Sequence, residues 1–251
     1  MNRGVSMTEA LYFLNCYIKE FEATVTKITD DKFVVLNRTA FYPESGGQPS
    51  DTGKLIRKFD SAEFEVLYVG KFNGYISHEI VSPDGNVSTG LKAGDNAKGI
   101  IDWDRRYMHM RMHTTTHMIV SVIEKEAGAQ ITGNQLGIDQ SRVDSSLEAF
   151  DRDQFTEYEK IANGLIAQNN HINFYMVSRK EAEEKLLRLT TLAKGFSDEI
   201  KEVRLVEIEG VTIEACGGTH VKNTNELKEM KIIKLQNKGK NNLRMYFILK
   251  G

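Results

Sequence analysis

Apolar and polar residues alternate over residues 21–28 and 32–36, and again over 64–69 and 75–80. A two-residue period marks strands with one face in a core. Gly46-Gly47, Gly53, Gly74, Asp84-Gly85 and Gly94 punctuate these runs as turns. Short strands so spaced predict a small β-barrel or sandwich. Near Gly94 the pattern changes. Residues 102–127 hold no Gly or Pro, and Gly128 supplies a stop, so they predict one long helix. Phe155, Tyr158, Ile161, Ala162, Leu165 and Ile166 form a second helical stripe. Ser178 followed by Glu181 is a capping box, opening a third helix with Ala182, Leu186 and Leu189 inward. Strand patterns return over 203–207, 211–215, 230–236 and 244–249. Strands and helices in separate runs predict an α+β chain rather than a doubly wound sheet. The change of character places a small β-barrel domain over residues 1–95 and a second domain over 96–251.

Composition adds little except by exclusion. The 251 residues are 40% hydrophobic and 27% charged, as in an ordinary soluble protein. Cys16 and Cys216 make no disulfide framework. No apolar run approaches the roughly 18 residues that read as a membrane span, so a cytoplasmic location without membrane contact is expected. The net charge of −2 does not suit a nucleic-acid binder as a whole. Residues 222–250, however, carry eight Lys or Arg against two Glu. A local excess of that kind suits either a solvated surface or a grip on phosphates.

Three segments carry candidate chemistry. His113 and His117 lie four apart on the long helix, so both imidazoles project from one face, one turn apart. No Glu follows His113, so the metalloprotease pattern with its built-in base is missing. His109 extends the series by a turn, and the helix alone does not choose between the pairs. The second segment is residues 214–220, Glu-Ala-Cys-Gly-Gly-Thr-His. An alternating strand runs into Cys216, two glycines break it, and His220 follows. A thiolate and an imidazole on one strand-to-loop turn suit Zn²⁺. The third is the polar, glycine-rich stretch 39–53, whose Gly46-Gly47 pair offers backbone N–H groups. It lacks the Lys and following helix of nucleotide-binding loops.

Together these segments resemble the alanyl-tRNA synthetase editing domain. Asp104-Arg-Arg106 with residues 110–117, Met-Arg-Met-His-Thr-Thr-Thr-His, is similar to its first motif. Residues 215–226 resemble its second metal motif, 39–53 the glycine-rich motif of the preceding domain, and 238–244 a segment near its C-terminal end. There is no aminoacylation domain, so the chain resembles freestanding AlaX-type editors of the medium class. That resemblance implies an N-terminal β-barrel followed by the α/β editing domain shared with threonyl-tRNA synthetases. It implies hydrolysis of Ser-tRNA(Ala), with Gly-tRNA(Ala) a second candidate, and one Zn²⁺ on His113, His117, Cys216 and His220. His109 falls outside the matching motif and reads as a surface or structural residue. Two departures stand out. Asn225-Glu-Leu-Lys228 replaces the usual Gly-Glu-Ile-Gly, altering a turn and adding Lys228 as a candidate phosphate contact, and Thr-Thr-Thr replaces Thr-Ala-Thr.

The resemblance leaves the mechanism partly open. If all four ligands bind at once the metal is closed in, as in structural sites; catalysis needs one exchangeable position or an expanded shell. No Asp or Glu in the motifs stands out as a general base. Serine exceeds alanine by one hydroxyl, and a buried partner for it rejects alanine well. Thr39 and Gln48 are the candidates for that partner. Gly46, Gly47, Gly217, Gly218 and Thr219 are the backbone-rich positions expected around substrate. Arg105, Arg106, Lys238, Lys240 and Arg244 are expected on tRNA phosphates. The competing reading is a zinc-stabilised RNA-binding module without activity.

Overall fold

A computed structural model describes residues 8–72, 74–85, 90–147, 151–186 and 201–251. The chain divides into two compact units, Met1–Met108 and His109–Gly251.

The first unit contains six principal strands: β1 (Glu20–Thr29), β2 (Phe33–Leu36), β3 (Gly53–Arg57), β4 (Glu63–Phe72), β5 (Tyr75–Val81) and β6 (Asn96–Ile101). All pair antiparallel in the closed order β1-β2-β5-β4-β3-β6, with β6 returning to β1. Closure leaves no edge along this ring for another chain to extend. Val25, Val34, Leu36, Leu55, Val66 and Ile80 belong to its core. β6 lies beyond the boundary drawn at residue 95. It belongs to the barrel because it pairs with both β1 and β3, and the division falls later, inside the long helix.

The glycine-rich segment is a turn held from behind. Gly46 and Gly47 both take positive φ, 59° and 83°, as a hairpin turn with two left-handed residues requires. The Gln48 N–H donates to the Ser45 carbonyl at 2.9 Å. Further along, Asp51 accepts from the Tyr42 N–H at 2.6 Å. Its carboxylate pairs with Arg106, and both side chains are fully buried. Arg106 Nε lies 3.0 Å from each Asp51 oxygen, and Nη1 donates to the Cys16 carbonyl at 2.9 Å. Nη2 donates to the Ala40 carbonyl as well. One guanidinium thus ties residues 16, 40 and 51 to the start of the helix. The expectation that Arg106 grips tRNA phosphate is overturned: its side chain has no exposure to solvent.

A second buried polar pair lies in the same unit. His78 Nδ1 is 2.9 Å from the Val34 carbonyl, which can only accept, so Nδ1 carries the proton. Nε2 is then the acceptor for the Thr39 hydroxyl at 2.8 Å. Burial holds His78 down to about 4, against the opposing pull of the Val34 carbonyl.

The second unit is built around the helix α1 (Trp103–Ala127), which begins in the first unit. Residues 109–123 are buried at every position. The helix therefore shows no apolar stripe. Its buried threonines satisfy themselves: Thr114, Thr115 and Thr116 each donate to the carbonyl four residues back, at 2.9 Å. After β7 (Ile131–Gln135) and β8 (Ser141–Ser145) come α2 (Arg152–Ala167), β9 (Ile172–Ser178) and α3 (Arg179–Leu186). β10 (Glu202–Ile208), β11 (Thr212–Ala215), β12 (Glu229–Asn237) and β13 (Leu243–Lys250) follow. They form two sheets, ordered β12-β13-β8-β7 and β9-β10-β11. α2 is capped by Asp151, whose carboxylate accepts the Asp153 N–H at 2.8 Å. It also covers the edge of β12. Asn163 bonds both backbone groups of Met230, and Glu159 accepts the Ile232 N–H. α3 opens at Ser178, whose N–H and hydroxyl both reach Glu181. Leu189 of the expected third helix lies outside the described residues.

Two outcomes test the first unit. Asp51→Ala strands a buried guanidinium and should lower unfolding free energy by about 3–5 kcal/mol, read from urea midpoints. A loss below about 1 kcal/mol, the scale of an exposed pair, would refute the keystone role. For His78, the folded state resists a proton that the unfolded chain accepts below 6.5. Stability is therefore complete above pH 6.5 and falls as pH drops towards about 4. The loss at the lower end is about 3 kcal/mol. His78→Gln should flatten the difference between urea midpoints at pH 7 and pH 5; an unchanged difference would show that His78 does not set it.

Candidate metal centre

Four donors meet inside the second unit. His113 and His117 come from α1, Cys216 from the end of β11, and His220 from the loop that follows. Their ligand atoms all lie within 4.8 Å of one another. Cys216 Sγ is 3.5 Å from His113 Nε2 and 3.3 Å from His220 Nε2. A tetrahedral ion with zinc-like bond lengths sets its sulfur and nitrogen ligands about 3.6 Å apart. The residues therefore fit a metal ion, and the set matches the four expected from the sequence. His109 is buried and stands outside it, a structural rather than a surface histidine.

Neighbouring groups aim the imidazoles. Thr114 spends its hydroxyl proton on the Met110 carbonyl, so towards His220 Nδ1, 3.1 Å away, its oxygen can only accept. Nδ1 of His220 then holds the ring proton, and the Nε2 lone pair faces Cys216. Val221 N–H donates to the same Thr114 oxygen at 3.3 Å. Glu214 lies beside His117 at ion-pair distance: its Oε1 is 3.3 Å from Nδ1, with both side chains largely buried. A carboxylate there favours the proton on Nδ1 and frees Nε2 for a metal. Sequence reasoning passed over both residues because a positioning role leaves no spacing signature.

The loop is clamped from below. Arg204, buried on β10, donates through Nη1 to the Cys216 carbonyl at 3.0 Å and the Gly218 carbonyl at 2.9 Å. Its guanidinium stacks 4.4 Å over the Phe174 ring. Gly218 turns its N–H onto Cys216 Sγ at 3.3 Å. Gly217 and Gly218 thus belong to the metal loop, and Thr219 is fully buried beside it.

The electrostatics favour a cation. Burial pushes the Cys216 thiol up, but the facing imidazoles of His113, His220 and His117 outweigh it and hold it well below the usual thiol range. Burial pushes His117 down, yet Glu214 and Cys216 raise it well above the ordinary imidazole value. His220 is driven down by burial and by His113. The cluster thus pairs a ready thiolate with a field that welcomes positive charge, whether proton or metal. Half-buried Glu124 is raised to about 7 by burial and by Glu214.

The remaining expected residues are scattered. Thr39 and Gln48 are fully buried in the first unit. The Thr39 hydroxyl donates to His78 and accepts from the Phe41 N–H at 3.1 Å, which leaves one lone pair. Arg105 is half-buried, with Nε on the Ser50 carbonyl at 3.2 Å. Arg244 is braced by Asp144. Lys238 and Lys240 are exposed between β12 and β13.

Residues 7–105 match a family model described as tRNA synthetases class II (A). Residues 203–246 match one described as the threonyl and alanyl tRNA synthetase second additional domain. The chain is 81% identical to an alanyl-tRNA editing protein AlaX-M of Methanosarcina barkeri, over 97% of this chain and 99% of that protein. It is 38% identical to the AlaX-M of Saccharolobus solfataricus, over 97% of this chain and all of that one. It is also 37% identical to an alanine–tRNA ligase of Methanococcus maripaludis, over 92% of this chain but 25% of the ligase.

The aiming role of Thr114 is testable apart from any activity. Cobalt(II) should bind with a thiolate charge-transfer band that Cys216→Ser removes. Thr114→Val keeps all four ligands but releases His220 Nδ1, and should weaken cobalt binding about 10- to 100-fold, with Thr114→Ser restoring it. Equal affinity in Thr114→Val would overturn the assignment.

Proposed function

Because this chain belongs to the alanyl-tRNA editing protein family of the AlaX-M type, we propose that it hydrolyses the ester of wrongly charged tRNA(Ala), with Zn²⁺ held by His113, His117, Cys216 and His220. The observation that carries this reading is the convergence of one sulfur and three imidazoles within 4.8 Å of one another, with the sulfur 3.5 and 3.3 Å from two of the ring nitrogens. Zinc bound there supplies Lewis-acid chemistry suited to an activated ester. Serine is the proposed misattached residue, with glycine its competitor.

The chain's own residues do the rest. Thr114 and Glu214 keep two imidazoles in the tautomer that presents Nε2. Arg204 fixes the 216–218 loop, so the sulfur is positioned before substrate arrives. Cys216 is the one member of the cluster that is not fully buried, which makes it the proposed open side. Selection of serine over alanine needs an acceptor or donor that alanine leaves unpaired. The uncommitted lone pair of Thr39 is our candidate, acting as an acceptor. A cytoplasmic setting is proposed for this activity; no described helix is long and apolar enough to cross a membrane. A closed four-ligand set would instead support the RNA-binding module without activity.

Deacylation of Ser-tRNA(Ala), Gly-tRNA(Ala) and Ala-tRNA(Ala) by the zinc-loaded chain decides between the two. Ser-tRNA(Ala) should be cleared and Ala-tRNA(Ala) spared, and Cys216→Ala should abolish clearance. Thr39→Val should narrow the serine preference roughly ten- to two-hundredfold, the worth of one buried unpaired polar group. Intact Ser-tRNA(Ala) after long incubation with fully metallated protein would leave the binding module as the reading.

A further inference from the structure

The sheet β12-β13-β8-β7 has one buried and one open face. Ser141, Val143 and Ser145 of β8, with Leu243, Met245 and Phe247 of β13, are buried. The alternate residues form two rows that cross all four strands in register. One row reads Lys234, Tyr246, Arg142, Gln135; the other reads Gln236, Arg244, Asp144, Gly133. Lys234 Nζ sits 5.3 Å from the Tyr246 ring centre. Arg142 Nε donates to Gln135 at 3.1 Å.

Asp144 braces both arginines. It takes Arg142 Nη1 at 2.8 Å, and Arg244 Nε and Nη2 at 2.7 and 2.9 Å. A guanidinium has five N–H donors, and these bonds, with a further one from Arg244 to Tyr246, leave at least two on each. The planes are thus held still while donors stay in reserve. Lys238 and Lys240 extend the positive charge into the turn at the end of β12. Five cations face one carboxylate, in a chain whose net charge is −2.

We propose that this sheet face binds the sugar–phosphate backbone of tRNA, with Arg142 and Lys234 joining Arg244, Lys238 and Lys240. The proposal rests on the tRNA-editing reading above and names the surface that holds its substrate. Fixed guanidinium forks match phosphate oxygens in pairs. Gln135, Gln236 and Tyr246 supply the neutral hydrogen-bonding groups that ribose hydroxyls need. The two rows hold no aliphatic residue, whereas a protein-docking face keeps an apolar, dry centre. An open groove whose lining includes Gln135, Leu136, Gln140, Arg142, Arg244 and Tyr246 lies at the β7–β8 side of these rows.

The test uses the full zinc-loaded chain and uncharged tRNA(Ala), read by fluorescence anisotropy across a salt series. Arg142→Gln with Lys234→Gln should raise Kd roughly a hundredfold, at about tenfold per charged hydrogen bond lost. It should also flatten the logarithmic salt slope by about two. In deacylation KM should rise while kcat holds. Lys54→Gln with Lys98→Gln makes the same change of net charge on the barrel and should leave Kd within about twofold. Should the double variant misfold by circular dichroism or lose zinc, Lys234→Glu alone, at an exposed site, carries the test with a Kd rise of at least tenfold. Wild-type affinity and slope in a folded variant overturn the proposal, as does an equal loss in the barrel control. A shift in oligomeric state without a change in Kd also overturns it and marks the face as a protein contact. If the wild-type chain deacylates Ser-tRNA(Ala) while the variants bind normally, only the sheet face fails. If it neither binds nor deacylates, the editing reading fails too.

Discussion

A buried guanidinium is tolerated only if a carboxylate and carbonyls replace the water it gives up; the penalty otherwise is several kcal/mol. That constraint organises the first unit. Arg106 has zero exposure, and its partners come from residues 16, 40 and 51. None of these segments is regular structure for long, and the charge pins their backbones while Tyr12, Ala40, Phe41 and Tyr42 pack into the core. Asp51 in turn holds the Tyr42 N–H, so the chain between residues 42 and 51 is pinned at both ends of its turn. The second unit also buries a guanidinium against backbone carbonyls. Arg204 is buried, stacked on Phe174, and spends Nη1 on two carbonyls of the metal loop. A loop with two adjacent glycines has much conformational entropy to lose on ordering. Arg204 offsets that loss where Cys216 must sit.

Histidines show the same constraint acting in opposite directions. His78 is sealed in a barrel with a carbonyl on one nitrogen and a hydroxyl on the other, and burial keeps it neutral. His117 is equally buried but faces Glu214 and Cys216, and the local field raises it. Burial alone therefore does not decide an imidazole's charge; the neighbours that come with it do. At the cluster this has a consequence for folding. A thiolate, a carboxylate and three imidazoles packed together without a cation repel or compete for one proton. A divalent ion bound there would relieve both problems at once and would couple occupancy of the site to the stability of the second unit.

Much of this was legible in the sequence, for reasons that particular residues make plain. Helical spacing marks His109, His113 and His117 alike, and only the family resemblance selects the last two; Cys216 and His220 are marked by a strand running into glycines. Strand β1 alternates cleanly and β4 does so over its first half, while β2 is apolar throughout. β6 does not alternate, because Gly99 interrupts it. In the structure the Phe21 ring covers that glycine, its register partner, and an added Cβ would lie 2.3 Å from the ring. The missing side chain is filled from across the sheet, which no local pattern reveals. β7 and β8 are short and polar and escaped notice, since one face of their sheet is open. Arg106 was misread because residue type reports charge, not solvent exposure. Its burial depends on partners up to 90 positions away.

Lys228 shows how a departure from a family pattern is absorbed. The resemblance leads one to expect glycine at this turn, and the backbone at Lys228 takes a conformation that favours glycine, with φ at +65° and ψ at −109°. A side chain in that region costs of order 1–3 kcal/mol. The turn nevertheless holds, because its entrance is tied independently. Glu226 accepts from the N–H groups of both Asn223 and Lys222, at 3.1 and 3.0 Å. Thr224 is anchored on α2 through the Ile166 carbonyl, and Arg111 from α1 grips the Leu227 carbonyl. Three elements therefore over-determine the residues that precede Lys228. The strain falls at one position while the path from the metal loop into β12 is preserved. Lys228 begins the run of cations that continues along β12, so its charge adds to a basic segment at the cost of a local backbone penalty. A sequence can exchange intrinsic turn preference for surface charge where tertiary contacts already fix the chain.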